Sequence, residues 1–365
     1  MKAVVLAGGY ATRLRPISYV LPKLLFPILG KPMIYWTLDL LSSAGMTEVV
    51  LGVNYLAETL RARVGSTYRG MQIRYSLEDR ELGTAGPIKL ASVGTEMNQP
   101  FIAMNGDVIA QIDIREMLRH HEQSEALITD ALHEVEDPTR FGVVQMDTRN
   151  RIELFIEKPN RRAAPSRLVN AGIYAIEPEV LRLIPGNRKV SLEREVFPAL
   201  AKERRLYGFK FSGYWFDIGN FTDFRKANFS LLRHSTYEPK PRTANGKIAT
   251  DAAIRKPVSF GNDSIFDSEA CIGPNAVLGD DVSIGKKAEV TGSILFDRVT
   301  VGEASRIDGA IVSTDVKIGK GVKIGRGCII SPHVTIADRT KIGAGAIIHS
   351  YKEINRNVEA KANVM

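Results

Sequence analysis

The segment from Lys2 to Lys23 gathers groups suited to holding an anion. A short apolar run, KAVVLA, breaks into Gly8 and Gly9 and is followed by Thr12, Arg13, Arg15 and Lys23. A glycine pair lets backbone N–H groups approach an anion closely, and the basic side chains add fixed positive charge. The string lacks the GK[ST] ending of a Walker A loop and the glycine spacing of a dinucleotide-binding turn. Two aspartates also close apolar runs: Asp107 after FIAMNG, and Asp217 within GYWFDIG. Each reads alone as a turn residue or as a carboxylate presented at a strand end. Mg²⁺ is held by one or two such carboxylates together with phosphate oxygens.

Elements able to position these groups follow from the pattern between Lys2 and about Leu232. Strand-like runs (VVLA, EVVLGV, IRYSL) alternate with helical ones (PMIYWTLDLLSSAG, LAETLRARV), which predicts a mostly parallel, Rossmann-like mixed sheet flanked by helices. Further strands are expected at 101–104, 142–145, 152–156 and 169–176. In such sheets ligands sit at the carboxyl ends of strands, where the glycine pair falls.

From His234 to Lys247 the sequence turns polar and proline-rich (HSTYEPKPRTANGK), as a linker does. Beyond it the period changes. Ile272, Leu278, Ile284, Val290, Val301, Ile307, Ile318, Ile324, Ile330, Ile336, Ile342 and Ile348 recur at six-residue steps, glycine often following. Two steps fall one residue short of a double repeat, with Leu295 and Val312 as the intermediates. Fixed short periods of this kind predict a parallel β-helix with the aliphatic residues inside. Four to five coils are expected. The expected division is therefore a catalytic domain over 1–233, a linker over 234–250 and a β-helix over 251–365.

With 365 residues, 44% hydrophobic and 25% charged, the chain has the composition of a globular protein of two domains or so. A net charge of +8 suits small anionic substrates, and no nucleic-acid module or basic run is present in the sequence. Cys271 and Cys328 are far apart, without metal-ligand spacing, and read as free thiols. The first apolar run is too short for a signal peptide or a membrane span, so a cytoplasmic protein is expected.

LAGGYATRLRP followed by Pro22–Lys23 resembles the signature of the sugar-phosphate nucleotidyltransferases. Ala11 stands where the family has a third glycine and Leu24 where it has proline. Alanine favours negative φ, so a slightly tighter loop is expected. LGTAGPI, DPTRFGVV, RIELFIEKP, VNAGIYAIEPEVL, SLEREVFPALA and GYWFDIG extend the likeness to the two-domain GDP-mannose pyrophosphorylases, whose second domain is a left-handed β-helix. The resemblance implies that Asp107 and Asp217 hold Mg²⁺, that Arg13 stabilises the departing pyrophosphate, and that Lys23 faces the α-phosphate. It implies a nucleotide site of Leu6, Ala7, Gly8, Gly9, Thr12, Arg13, Glu78, Gly83, Thr84, Asn105 and Asp107. For the sugar phosphate it implies Gly142, Glu157, Lys158, Asn170 and Gly172. Glu193 joins these, with stabilisation of a helix N-terminus as an equal reading.

A carboxylate at Glu78 could accept both N1–H and the amino group of guanine, which points to GTP. The expected reaction is then GTP plus α-D-mannose 1-phosphate giving GDP-mannose and pyrophosphate. A glucose 1-phosphate uridylyl- or thymidylyltransferase is the alternative within the family. A β-helix acyltransferase using His333 or His349, or a regulatory assembly subunit, is the alternative outside it. A homo-oligomer formed through Ile254 to Met365 is expected, with neither nucleic acid nor membrane as partner.

Overall fold

A computed structural model of the chain describes residues 1–186, 188–234 and 246–365. The chain forms two compact units, residues 1–10 with 33–218 and residues 11–32 with 219–365. The expected linker lies for the most part outside the described residues.

The strand Lys2–Leu6 is buried because nothing in AVV is polar, and it takes the middle of the first unit's sheet. It pairs in parallel with Glu48–Val53 on one side and Phe101–Asn105 on the other. Met71–Leu77 continues the parallel run, and Thr67–Tyr68 closes that edge. On the other side Leu168–Ile176, Gly142–Met146 and Ile152–Glu157 add antiparallel pairs, so the sheet is mixed. The strands Ile128–Glu134 and Leu206–Lys210, paired in parallel, lie outside the sequence reading, as does the short Thr67–Tyr68. Asp130 and His133 interrupt the apolar pattern of the first, and Gly208 that of the second.

The second unit begins with three single-turn 3₁₀ segments, Thr12–Leu14, Ile17–Tyr19 and Lys23–Leu25, and a two-residue hairpin, Pro27–Ile28 against Lys31–Pro32. Pro32 therefore precedes the helix Met33–Ser43 instead of opening it. After the helix Phe221–His234 the chain winds into three parallel sheets of seven, six and seven strands. Every aliphatic residue of the six-residue register, with Leu295 and Val312 at the two short steps, lies in one interior cluster. The stack has more coils than expected, because it starts at Lys247–Ile248 and runs to Asn363–Val364. Ile248 and Ile254 in the first coil are 41% and 36% exposed, so the inward pattern is weak there.

Candidate active site

The glycine pair follows directly from the strand Lys2–Leu6. Ala7 donates its N–H to the Gly52 carbonyl (2.8 Å), and the Asn54 side-chain amide donates to the Gly8 carbonyl. Glu78 closes the other side: a methyl group on Gly8 would meet its carboxylate, which would have to swing away. Glu78 is 8% exposed. Burial pushes its carboxyl up to about 6, against a hydrogen bond from the Leu82 backbone that lowers it and repulsion from Glu81 that adds to the rise.

The strand Phe101–Asn105 ends beside that loop. Leu6 and Asn105 are register partners, and Gly106 donates its N–H to the Leu6 carbonyl (2.9 Å). Asp107 therefore emerges at the carboxyl end of the central strands. Asp217 reaches it by a separate route. Trp215–Asp217 pairs antiparallel with Val108–Ala110, placing Asp217 opposite Val108, and Ile218 donates its N–H to the Asp107 carbonyl (3.1 Å). Two carboxylates from residues 110 apart in sequence thus stand one step out of register, each half-buried. Among the described residues no group of three or more His, Cys, Asp or Glu is placed to hold a metal. A pair of carboxylates suits Mg²⁺, which keeps water and phosphate oxygens in its remaining positions.

A cavity of about 220 Å³ opens at this end of the sheet, lined by Thr84, Asn105, Val108, Arg140, Phe141, Gly142, Glu157, Lys158, Asn170, Ala171, Gly172, Glu193, Trp215 and Asp217. It brings together Thr84, Asn105, Asp217 and the sugar-phosphate candidates named from the sequence. Lys158 is within 3.2 Å of Glu157 Oε1. Asn170 is fixed at both ends of its amide: Nδ2 donates to the Tyr174 hydroxyl (3.0 Å), and Oδ1 accepts from the Gly172 N–H (2.7 Å). Gly172 has φ +73°, and a side chain there would strike Asn105. Glu193 keeps both of its expected surroundings, the first turn of the helix Leu192–Val196 and the cavity. Glu195 takes the capping role, accepting from the Ser191 N–H (3.1 Å), while Glu193 lines the cavity with Oε2 accepting from Thr84 (2.6 Å) and Ser191 (2.7 Å) hydroxyls.

The sequence reading missed Arg140, Phe141 and Trp215. The Trp215 indole N–H donates to the Ala171 carbonyl (3.0 Å), and Phe141 meets its ring edge-on at 5.0 Å. The FGVV and W-x-D-x-G motifs flank both aromatics and were the available signal. Asp130 was missed as well. It is fully buried in the strand Ile128–Glu134, neither oxygen has a hydrogen-bond partner among the described residues, and burial with Glu193 nearby raises its carboxyl well above the usual range. A larger cavity of about 920 Å³, beside Leu206–Lys210, contains none of the residues named from the sequence.

Thr12, Arg13 and Lys23 belong to the second unit. Arg13 is exposed and its guanidinium lies against Gly219, where an added methyl would sit 3.1 Å from Nη2. Ala11 corrects the loop expectation: it adopts φ +46°, in the left-handed region, rather than tightening the loop at negative φ. Its carbonyl is held there by the Ser18 hydroxyl (2.9 Å) and the Leu14 N–H (2.9 Å). The β-helix histidines have structural partners. His333 stacks on Tyr351 (4.8 Å, 16°), and His349 Nε2 is 3.0 Å from Asn363 Oδ1.

The family model described as Nucleotidyl transferase matches residues 2–234, and that described as GMPPB C-terminal domain matches 254–364. A mannose-1-phosphate guanyltransferase of Saccharomyces cerevisiae is 37% identical over 262 residues, covering 70% of this chain and 71% of that protein. A mannose-1-phosphate guanyltransferase beta-A of Xenopus laevis is 39% identical over 228 residues, 61% of this chain and 62% of that one. Among solved structures, a Bacillus anthracis chain bearing the name glucose-1-phosphate thymidylyltransferase superposes with a TM-score of 0.58 at 27% identity, over 65% of this chain and 97% of that one. No helix among the described residues is long and apolar enough to cross a membrane. The nucleotidyl transferase model spans most of the chain, and the chain belongs to the nucleotidyl transferase family.

Proposed function

We propose that the chain transfers the guanylyl group of GTP to α-D-mannose 1-phosphate, forming GDP-mannose and releasing pyrophosphate. The observation that carries this reading is the single cavity joining Asp217 and Asn105 to Glu157, Lys158, Asn170 and Glu193. A phosphate oxygen of the sugar 1-phosphate attacks the α-phosphorus, and the bond to the bridging oxygen of the departing pyrophosphate breaks. The nucleophile is already ionised, so no side chain has to remove a proton.

Two anions must be brought together, so charge neutralisation is the main task. Arg13 bears on the β- and γ-phosphates with its forked guanidinium, and Lys23 on the α-phosphate. Asp107 and Asp217 would hold Mg²⁺, whose charge offsets that of the triphosphate when bound. Glu157 and Glu193 accept sugar hydroxyls, Lys158 faces the sugar phosphate, and Asn170 presents an amide whose orientation Tyr174 fixes. Leu6, Ala7, Gly8, Gly9, Thr12, Gly83 and Thr84 flank the nucleotide, with Glu78 reading its base.

We also assign the reaction to the cytoplasm, in keeping with the free thiols Cys271 and Cys328, and a homo-oligomer to the β-helix, whose end strands offer edges for pairing. Light scattering of the intact chain tests the assembly. Pyrophosphate release measured over GTP, UTP and dTTP against mannose and glucose 1-phosphates tests the reaction. Preference for GTP with mannose 1-phosphate is expected; faster turnover of UTP or dTTP with glucose 1-phosphate would replace this reading with its nearest relative.

A further inference from the structure

We propose that one face of the β-helix is the seat of the Arg13–Lys23 segment, so that Phe296, Asn228 and His349 are positioning residues for nucleotidyl transfer. This rests on the phosphate roles given above to Arg13 and Lys23.

The residue following each inward aliphatic one shows how the faces differ. On one face it is Asp267, Gly285, Gly302, Gly319 and Ala337, and on another Gly273, Thr291, Asp308, Gly325 and Gly343, none of them aromatic. On the face built from Leu278, Leu295, Val312, Ile330 and Ile348 it is Gly279 first and then Phe296, Ser313, Ser331 and His349. Phe296 lies outside the interior cluster, yet is only 2% exposed. Residues 11–32 and the helix Phe221–His234 account for its burial. Phe26, fully buried, meets Phe296 edge-on at 5.8 Å and Phe224 edge-on at 5.8 Å, and Phe224 meets Phe296 at 5.9 Å.

Polar contacts fix the same segment. The Asn228 amide, also fully buried, accepts from the Leu29 N–H (2.8 Å) and donates to the Pro27 carbonyl (3.3 Å), holding the hairpin that follows Lys23. Arg225 on the same helix donates to the Gly309 and Gly292 carbonyls, tying that helix to the coils. At the other end of the face Tyr19 lies 6.2 Å from the His349 ring, and the Arg15 guanidinium covers Tyr19 at 4.8 Å. The turns bearing Arg13 and Lys23 are thus clamped on both sides, by Tyr19 on His349 and by Phe26 on Phe296. Each of these turns is a single 3₁₀ segment of three residues.

Geometry errors of an ångström in a phosphate-binding group lower rates steeply, so loosening this seat acts on turnover. The test uses the full chain with GTP and mannose 1-phosphate. Phe296→Ala is expected to lower kcat about tenfold or more with the KM for mannose 1-phosphate unchanged. Phe296→Leu should restore part of it. The control is Ile324→Ala, a 2%-exposed interior position on another face, which should lower the melting temperature and leave kcat unchanged below the transition. In a Lys23→Ala background Phe296→Ala should lower kcat by a smaller factor than in the wild-type chain, because only the placement of Arg13 is left to lose. His349→Ala, which spares the core, should lower kcat in the same manner by a smaller factor. Equal kcat for the Phe296→Ala and Ile324→Ala chains, or full additivity with Lys23→Ala, would overturn the proposal. A wild-type chain that releases no pyrophosphate from any triphosphate would instead overturn the functional reading beneath it.

Discussion

Glu78 offers a prediction whose size follows from its surroundings. Its carboxyl is 8% exposed and raised to about 6 by burial. Only the ionised form can accept both the N1–H and the amino group of guanine. With half-ionisation near 6 the group is almost fully charged at pH 8 and about one-tenth charged at pH 5. Preference for GTP over UTP, as a ratio of kcat/KM values, should therefore fall roughly tenfold between those pH values. Taking the ratio matters, because titration of the triphosphate and its metal affinity are common to both nucleotides and cancel.

The second arm is Glu78→Gln. It removes the pH dependence, since an amide does not titrate, and it exchanges a charged acceptor pair for one donor and one acceptor. Loss of hydrogen bonds to a charged group costs about 1.5–3 kcal/mol, or roughly ten- to a hundred-fold for GTP. UTP, whose N3–H and O4 match an amide, should lose little. Pyrophosphate release at saturating mannose 1-phosphate, from pH 5 to 8, measures all of this. A GTP-to-UTP ratio flat with pH in the wild-type chain, or equal losses for both nucleotides in Glu78→Gln, would show that Glu78 does not read the base.

Asp107→Asn and Asp217→Asn should each lower kcat by about a hundred- to a thousand-fold, the effect of several kcal/mol of lost charge stabilisation, while circular dichroism stays native. Near-normal Mg²⁺-dependent turnover would exclude either residue as a ligand. Asp130→Asn should stabilise the fold increasingly with pH. The folded carboxyl titrates well above the unfolded one, so the native state binds the extra proton between those values and wild-type stability declines as pH rises from about 4, by up to ~1.4 kcal/mol per pH unit. Urea midpoints giving a pH-independent difference between the two chains would contradict a neutral buried acid. Ala11→Gly should raise stability by about 1 kcal/mol, because φ +46° strains alanine and not glycine, and a lower melting temperature would contradict that.

Much of the site was legible because its groups sit at the ends of strands that local pattern identifies. Gly8 follows an apolar run, Asp107 follows another, and the register of Leu6 with Asn105 then brings them together. What pattern could not show depends on pairings between distant segments. Asn54 reaches the Gly8 carbonyl across 46 residues and Trp215 reaches Ala171 across 44. Neither side chain carries a mark of that destination in its own neighbourhood. Asp130 was hidden for the opposite reason: a carboxylate in an apolar run reads as a loop, and only a strand flanked by Leu168–Ile176 and Leu206–Lys210 buries it. SLEREVFP offers two glutamates to one helix start, and only the fold shows that Glu195 accepts from the Ser191 N–H while Glu193 lines the cavity from that same first turn.

The β-helix shows a subtler limit. Its register was readable to the residue, and the short steps at Leu295 and Val312 were visible as breaks. Yet which repeats share a face depends on where those two five-residue steps fall, since each removes one residue from a coil of three repeats. With them in place, Phe296, Ser313, Ser331 and His349 align on consecutive coils. A periodic stack in which glycine or a polar residue mostly follows the aliphatic one has no internal use for a phenylalanine there. Phe296 is buried by residues from outside the stack, Phe26 and Phe224, and Phe26 lies three residues beyond Lys23. Departure from the repeat pattern at that position therefore answers to packing against the segment that carries Arg13 and Lys23, a demand that repeat geometry alone does not impose.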